Sequence, residues 1–148
     1  MSNDQIVEVL LVEDNPCDAE LALRALEKNQ LANSIVHVSD GAEALDFLYA
    51  RNGYSDRNKA NRPKLVLLDL KLPKVDGLEV LRTLKSDPDL RAIPVVVLTT
   101  SREESDLKTG YDLGANSYIV KPVDFPKFVD AIRQLGFYWL LINEPPRL

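Results

Sequence analysis

The chain has 148 residues, 45% hydrophobic and 28% charged, which suits one globular domain that buries a full core without staples. Its 18 Lys and Arg against 23 Asp and Glu leave a formal net charge of -5, so a nucleic-acid backbone or an anionic membrane is a poor direct partner. One cysteine, Cys17, excludes an internal disulfide and fits a reducing compartment. With no signal-peptide pattern in Met1-Ser2-Asn3-Asp4-Gln5 and no apolar run of membrane-span length, the expected location is cytoplasmic.

Ile6-Val7-Glu8-Val9-Leu10-Leu11-Val12 reads as a first strand, β-branched and nearly all apolar. It runs into Glu13-Asp14-Asn15-Pro16, and Pro16 suits the first position of a helix whose apolar face is Ala19, Ala22, Leu23 and Leu26. Ser34-Ile35-Val36-His37-Val38 predicts a short second strand, with His37 as an edge or surface residue. Asp40-Gly41 opens a second helix with Ala42, Leu45, Phe47, Leu48 and Tyr49 as contact residues. The polar stretch from Arg51 to Arg62 is a surface loop, longer than most such connections, and serves as an ornament or a partner-binding loop.

Leu65-Val66-Leu67-Leu68-Asp69-Leu70 follows, a short apolar run of the kind that forms a strand buried on both faces of a parallel sheet. Asp76-Gly77 precedes a third helix carrying Leu78, Val80, Leu81 and Leu84, which ends near Ser86-Asp87-Pro88. Ile93 to Thr99 is the fourth strand, with Pro94 confined to its first residues. Ser101-Arg102-Glu103-Glu104 resembles the start of a fourth helix, weakly apolar and on the surface, with Gly114 as its stop. Ser117-Tyr118-Ile119-Val120 is the fifth strand, and the last helix starts near Asp124 with Phe125, Phe128, Val129, Ile132 and Leu135 on one face. Strand and helix alternate five times, so the expected fold class is α/β, a doubly wound five-stranded parallel sheet in the order 2-1-3-4-5, flavodoxin-like.

In that topology ligands bind beyond the carboxyl ends of the strands, at the crevice between the first and third. Glu13 and Asp14 leave the first strand beside Asp69 at the end of the third. Three carboxylates at one crevice repel one another unless a cation compensates, and oxygen ligands without histidine or cysteine select Mg²⁺, with Mn²⁺ also possible. The fourth strand brings Thr99 and Thr100 to the same edge, and the fifth brings Lys121. A hydroxyl can donate to a phosphoryl oxygen and an ammonium can neutralise it. Taken singly, each residue has a bland account as a turn former or a solvated charge; acid, acid, hydroxyl and cation at four strand ends do not.

Leu11-Val12-Glu13-Asp14-Asn15, Leu67-Leu68-Asp69-Leu70-Lys71-Leu72-Pro73 with Asp76-Gly77, Val97-Leu98-Thr99-Thr100 and Tyr118-Ile119-Val120-Lys121-Pro122 together resemble the receiver domain of two-component response regulators. The resemblance runs from about Ile6 to Leu135. It implies that Asp69 is the phospho-acceptor, and that Glu13, Asp14, Asp69 and the backbone carbonyl of Lys71 hold Mg²⁺. It further implies that Thr99 is the switch hydroxyl, that Tyr118 is the switch aromatic and that Lys121 pairs with Asp69 or its phosphoryl group. The donor would be a phosphohistidine of a sensor histidine kinase, and the chemistry would be confined to the protein's own phosphorylation and dephosphorylation. Lys71 stands where many relatives carry an uncharged residue.

The chain continues past Leu135 as Gly136-Phe137-Tyr138-Trp139-Leu140-Leu141-Ile142 before Asn143-Glu144-Pro145-Pro146. If helical, this stretch is apolar on every face, which suits either folding back on its own domain or a two-fold homodimer through Phe137, Tyr138, Trp139 and Leu141. The long loop and this tail also resemble the stand-alone regulators that partner bacterial and cyanobacterial phytochromes, which implies a light-regulated kinase and a dimer through the fourth and fifth helices. Output would then come from binding another protein or from passing the phosphoryl group to a downstream phosphotransfer protein. Three competitors remain. A phosphohydrolase with Asp69 as nucleophile needs an acid where Lys71 stands. A flavin carrier needs a Ser, Thr and Gly-rich loop where Glu13-Asp14 stands. A non-phosphorylated docking module would lack a site residue, and none is missing.

Overall fold

The structure, a computed structural model, describes residues 9–28, 34–100, 104–121, 126–128 and 130. Five strands, β1 (Val9–Val12), β2 (Ile35–Val38), β3 (Leu65–Leu68), β4 (Val95–Thr99) and β5 (Ser117–Val120), alternate with helices α1 (Pro16–Lys28), α2 (Gly41–Tyr49), α3 (Gly77–Ser86) and α4 (Glu104–Asp112). All neighbouring strands pair in parallel, in the order β2-β1-β3-β4-β5. The expected topology is the one observed.

β1, β3 and β4 are buried along their whole length, which is why they read as unbroken apolar runs rather than alternating ones. Side-chain alternation divides these residues between two layers. Leu10, Val12, Val66, Leu68, Val95 and Val97 pack with Ala44, Phe47 and Leu48 of α2 and Val80, Leu81 and Leu84 of α3. Val9, Leu11, Leu65, Leu67, Val96 and Leu98 pack with Ala19, Ala22, Ala25 and Leu26 of α1 and with Phe128. Each fully buried leucine contributes about 1.5–3 kcal/mol relative to an exposed one, so the sheet is held from both sides and its carboxyl edge is fixed.

Side chains set the helix starts. The Asn15 Oδ1 accepts from the backbone N–H groups of Cys17 (2.9 Å) and Asp18 (3.1 Å), with Pro16 at the first helical position as expected. The Asp40 carboxylate accepts from the Glu43 N–H at 2.7 Å and caps α2. Past the end of α4, Gly114 takes φ +107°, a left-handed conformation that an L side chain resists.

Several boundaries differ from the sequence expectation for definite reasons. β4 starts at Val95 rather than Ile93, because Pro94 has no N–H to give and contributes only its carbonyl, which accepts from Val66 at 3.0 Å. In α2 the buried contact residue between the expected ones is Ala44, while Ala42, Leu45 and Tyr49 are half-buried. In the last helix Phe128 is buried as expected, whereas Phe125, Val129, Ile132 and Leu135 lie outside the described residues, as do 101–103 and the whole 131–148 segment.

The loop before β3 is pinned rather than loose. It includes a 3-10 turn, Asn52–Tyr54. The Tyr54 ring meets Phe47 edge-on at 5.2 Å, and its hydroxyl donates to Glu43 Oε2 at 2.6 Å. The Arg57 guanidinium lies 3.7 Å from the Phe47 ring centroid and donates to the carbonyls of Phe47 and Asn61. No helix among the described residues is long and apolar enough to cross a membrane.

Candidate functional site

Three residues at the carboxyl edge are each the first past a strand, and the sheet's ladder extends one step to hold each of them. The Glu13 N–H donates to the Val38 carbonyl (3.0 Å), the Asp69 N–H to Val12 (3.0 Å) and the Lys121 N–H to Thr99 (2.8 Å). Alternation then places all three on the α1 side of the sheet. Glu13 follows the parity of Val9 and Leu11, Asp69 that of Leu65 and Leu67, and Lys121 that of Ile119. Thr99 follows the opposite parity, that of Val95 and Val97, and Tyr118 packs at the margin of that other layer. Thr100 is exposed beyond the end of β4.

Among the described residues, the buried polar or charged ones are Glu13 (3% exposed), Asp69 (6%) and Thr99 (0%). Burial of polar groups costs free energy unless they are paired, so these positions stand out on physical grounds as well as by sequence. The pairing is dense. The Lys121 Nζ contacts Glu13 Oε1, and lies 2.9 Å from Asp18 Oδ2 and 3.2 Å from Asp69 Oδ2. The Asp69 Oδ1 accepts from the Lys71 N–H at 3.1 Å, which turns the chain immediately after the acid. Carboxylate oxygens of Glu13, Asp14 and Asp69 lie within 4.8 Å of one another, with Asp14 exposed at the mouth.

These contacts decide the charge states. Burial, with the Asp69 charge adding to it, pushes the Glu13 carboxyl up to about 7, although Lys121 pulls the other way. Burial also works against the Lys121 ammonium, but Glu13, Asp18 and Asp69 outweigh it and hold this lysine above its usual range. Glu13, Asp18 and Asp69 thus share the Lys121 ammonium, and Asp14 adds a further carboxylate beside Glu13 and Asp69. The unbalanced negative charge and the all-oxygen donor set fit a hard divalent cation.

The loop from Asp69 to Asp76 is clamped from two directions. A Cβ on Gly77 would stand 2.2 Å from the Asp69 carbonyl oxygen, and one on Gly41 would stand 2.0 Å from the Val75 carbonyl oxygen. Only glycine lets α3 and α2 begin this close to the backbone that carries the acid. From the same loop, the Lys71 Nζ reaches Asp106 of α4 at 3.6 Å, and Tyr118 lies against Gly110 of the same helix.

Two participants were not legible as such in the sequence. Asp18 reads there only as an acid in the first turn of α1, a position that helix dipoles favour in any protein. His37 reads as an edge residue and is exposed, yet its Nε2 lies 2.8 Å from the Glu13 carbonyl oxygen. Phe137, Tyr138, Trp139 and Leu141, expected at a dimer interface, lie outside the described residues.

A model of the response regulator receiver domain matches residues 9–133. The chain belongs to that family. It is 44% identical over 138 residues to the probable methanogenesis regulatory protein FilR2 of Methanothrix harundinacea, covering 93% of this chain and 86% of that one. To response regulator Rcp1 of Synechocystis it is 39% identical over 132 residues, 89% of this chain and 88% of the relative. The Mn²⁺-bound crystal structure of Rcp1 matches with a TM-score of 0.79 over 95% of this chain and 99% of that one. The bacteriophytochrome response regulator AtBRR is 57% identical, with a TM-score of 0.77 over 95% and 99% of the two chains. The phosphorylated cyanobacterial phytochrome response regulator RcpA is 40% identical, with a TM-score of 0.79 over 97% and 100%. This receiver domain therefore acts in two-component signalling, and its acidic cluster fits the divalent-metal binding seen in the Mn²⁺-bound relative.

Proposed function

We propose that this receiver domain takes a phosphoryl group on Asp69 from a sensor histidine kinase, in a reaction that depends on Mg²⁺. The observation that carries the reading is the setting of Asp69: a buried carboxylate just past β3, with the Lys121 ammonium at 3.2 Å and the acids Glu13 and Asp14 beside it. Glu13, Asp14, Asp69 and the Lys71 carbonyl would hold the metal, which would draw negative charge off the phosphoryl oxygens. An Asp69 oxygen attacks the phosphorus of a phosphohistidine in line, a P–O bond forms as the P–N bond breaks, and the imidazole nitrogen keeps the electron pair of the broken bond. The protein's own part is positioning and charge neutralisation. Lys121 neutralises, Thr99 supplies the hydroxyl that senses the phosphoryl group, and Tyr118, packed against α4, follows Thr99; Thr100 is the lesser candidate.

The phytochrome-regulator names of AtBRR and RcpA favour a phytochrome-type kinase as donor. A single receiver domain over 1–148, with 136–148 as a dimerisation element, completes the reading. It is supported by apolar surface already exposed on α4, where Leu107 is 38% and Tyr111 48% exposed. Its chemistry is limited to its own phosphorylation and dephosphorylation, and its place is the cytoplasm. The test is intact-protein mass with peptide mapping after incubation with Mg²⁺ and acetyl phosphate. One labile phosphoryl adduct on Asp69, absent after chelation and absent from Asp69→Asn, is the expected result. Persistent labelling of Asp69→Asn at another residue would overturn the assignment.

A further inference from the structure

Lys121 is half-buried, its side chain only 9% exposed, and its ammonium has three hydrogens to give. Three carboxylates face it: Glu13 from β1, Asp69 from β3 and Asp18 from the first turn of α1. Two of these have other duties in the proposed reaction, Glu13 as a metal ligand and Asp69 as metal ligand and nucleophile. A dication entering among Glu13, Asp14 and Asp69 competes with Lys121 for two of these three carboxylates, and a phosphoryl group on Asp69 changes the charge and shape of one of those two contacts. Asp18 is the partner with no such duty. Its place is also independent of the strand ends, because α1 carries it and Asn15 caps that turn through the Asp18 N–H.

We infer that Asp18 is a positioning residue for the phosphoryl-transfer site: it is the fixed end of a tether that keeps the Lys121 ammonium at the mouth of the site while Glu13 and Asp69 exchange their partners. This rests on the reading of Asp69 as phospho-acceptor. Without Asp18 the ammonium collapses onto Glu13 and Asp69, where it opposes metal entry and is badly placed for an incoming phosphoryl group. Charge-assisted hydrogen bonds of this kind carry geometric as well as energetic weight.

The experiment is a double-mutant cycle of Asp18→Asn and Lys121→Ala in the full chain. Two readouts are taken: the rate of phosphoryl labelling by acetyl phosphate with Mg²⁺, and the affinity for Mn²⁺ alone from the electron paramagnetic resonance of free Mn²⁺. Asp18→Asn should slow labelling and weaken Mn²⁺ binding about five- to tenfold, the scale of one lost charge-assisted contact. In the Lys121→Ala background the same substitution should change either quantity less than about twofold. Asp18→Glu, which keeps the carboxylate, should restore part of the labelling rate.

Equal losses in both backgrounds would mean that Asp18 acts directly as a charge, and would overturn the tether. Wild-type values for Asp18→Asn, or a loss confined to thermal stability, would reduce Asp18 to a helix-turn acid and overturn it too, while leaving the phospho-acceptor reading intact. If the wild-type chain takes no phosphoryl group, that reading fails separately, and the Mn²⁺ cycle alone decides the tether: no Lys121-dependent effect of Asp18→Asn there overturns it.

Discussion

Glu13 offers the sharpest quantitative test, because burial and ion pairing pull its titration in opposite directions. Its carboxyl moves from 4.5 to about 7 on folding, so folding favours the protonated form. The stability contributed by that proton is complete below about pH 4.5 and is lost as pH rises through about 7. At about 1.4 kcal/mol for each pH unit, the loss amounts to about 3 kcal/mol. Glu13→Gln keeps the shape and cannot ionise, and Lys121 keeps Asp18 and Asp69 as partners. Relative to wild type, the glutamine variant should therefore gain about 3 kcal/mol between about pH 5 and about pH 8, read from urea unfolding in the presence of a chelator. A metal ion must displace the same proton, so Mg²⁺ affinity of the wild type should rise up to about tenfold per pH unit below about pH 7 and level off above it. A stability difference that is flat with pH, or one that favours wild type as pH rises, would show that the Lys121 contact outweighs burial and refute the reasoning.

Other consequences are open to simpler measurements. Gly77→Ala puts a methyl group where the Asp69 carbonyl oxygen stands 2.2 Å away; the expected cost is about 1–3 kcal/mol in urea unfolding, with slower phosphoryl labelling, and an unchanged labelling rate would mean that Asp69 is not positioned through this contact. Arg57→Ala removes two carbonyl contacts and the stacking over Phe47; amide exchange across residues 52–62 should accelerate, and unchanged protection would show that the aromatic contact of Tyr54 suffices to hold the loop. Polar replacements of Phe137 and Trp139 together should convert a dimer to a monomer in analytical ultracentrifugation, while an unaltered sedimentation coefficient would favour the extension folding back on its own domain.

Much of this molecule is legible from one dimension because its central strands are buried on both faces. A strand in that setting is filled mostly by apolar residues, so Val9–Val12, Leu65–Leu68 and Val95–Leu98 announce themselves as apolar runs, and the first polar residue after each run marks the carboxyl edge. That is how Glu13 and Asp69 could be singled out, and why Thr99, still within its strand and wholly buried, could be added by its chemistry. Small residues were less legible. Ala25 and Ala44 lie in the core, but an alanine is at home on either face of a helix, so periodicity does not distinguish them.

Sequence alone determined the order of elements, which residues lie near the carboxyl edge of the sheet and the chemistry available there, since local composition and the two periodicities of helix and strand carry those signals. Only the tertiary structure decided which groups share a charge. Asp18 meets Lys121 across 103 positions of chain, and His37 meets the Glu13 carbonyl across 24. Neither contact leaves a local mark, because each partner also suits its own turn or strand without the other. The parallel register carries Glu13, Asp69 and Lys121 one step past their strands onto one face, α1 closes over them with Asp18, and the burial that results moves the Glu13 carboxyl to about 7. Burial and long-range pairing are properties of the folded arrangement, so the electrostatics of the site arise there rather than in any stretch of sequence.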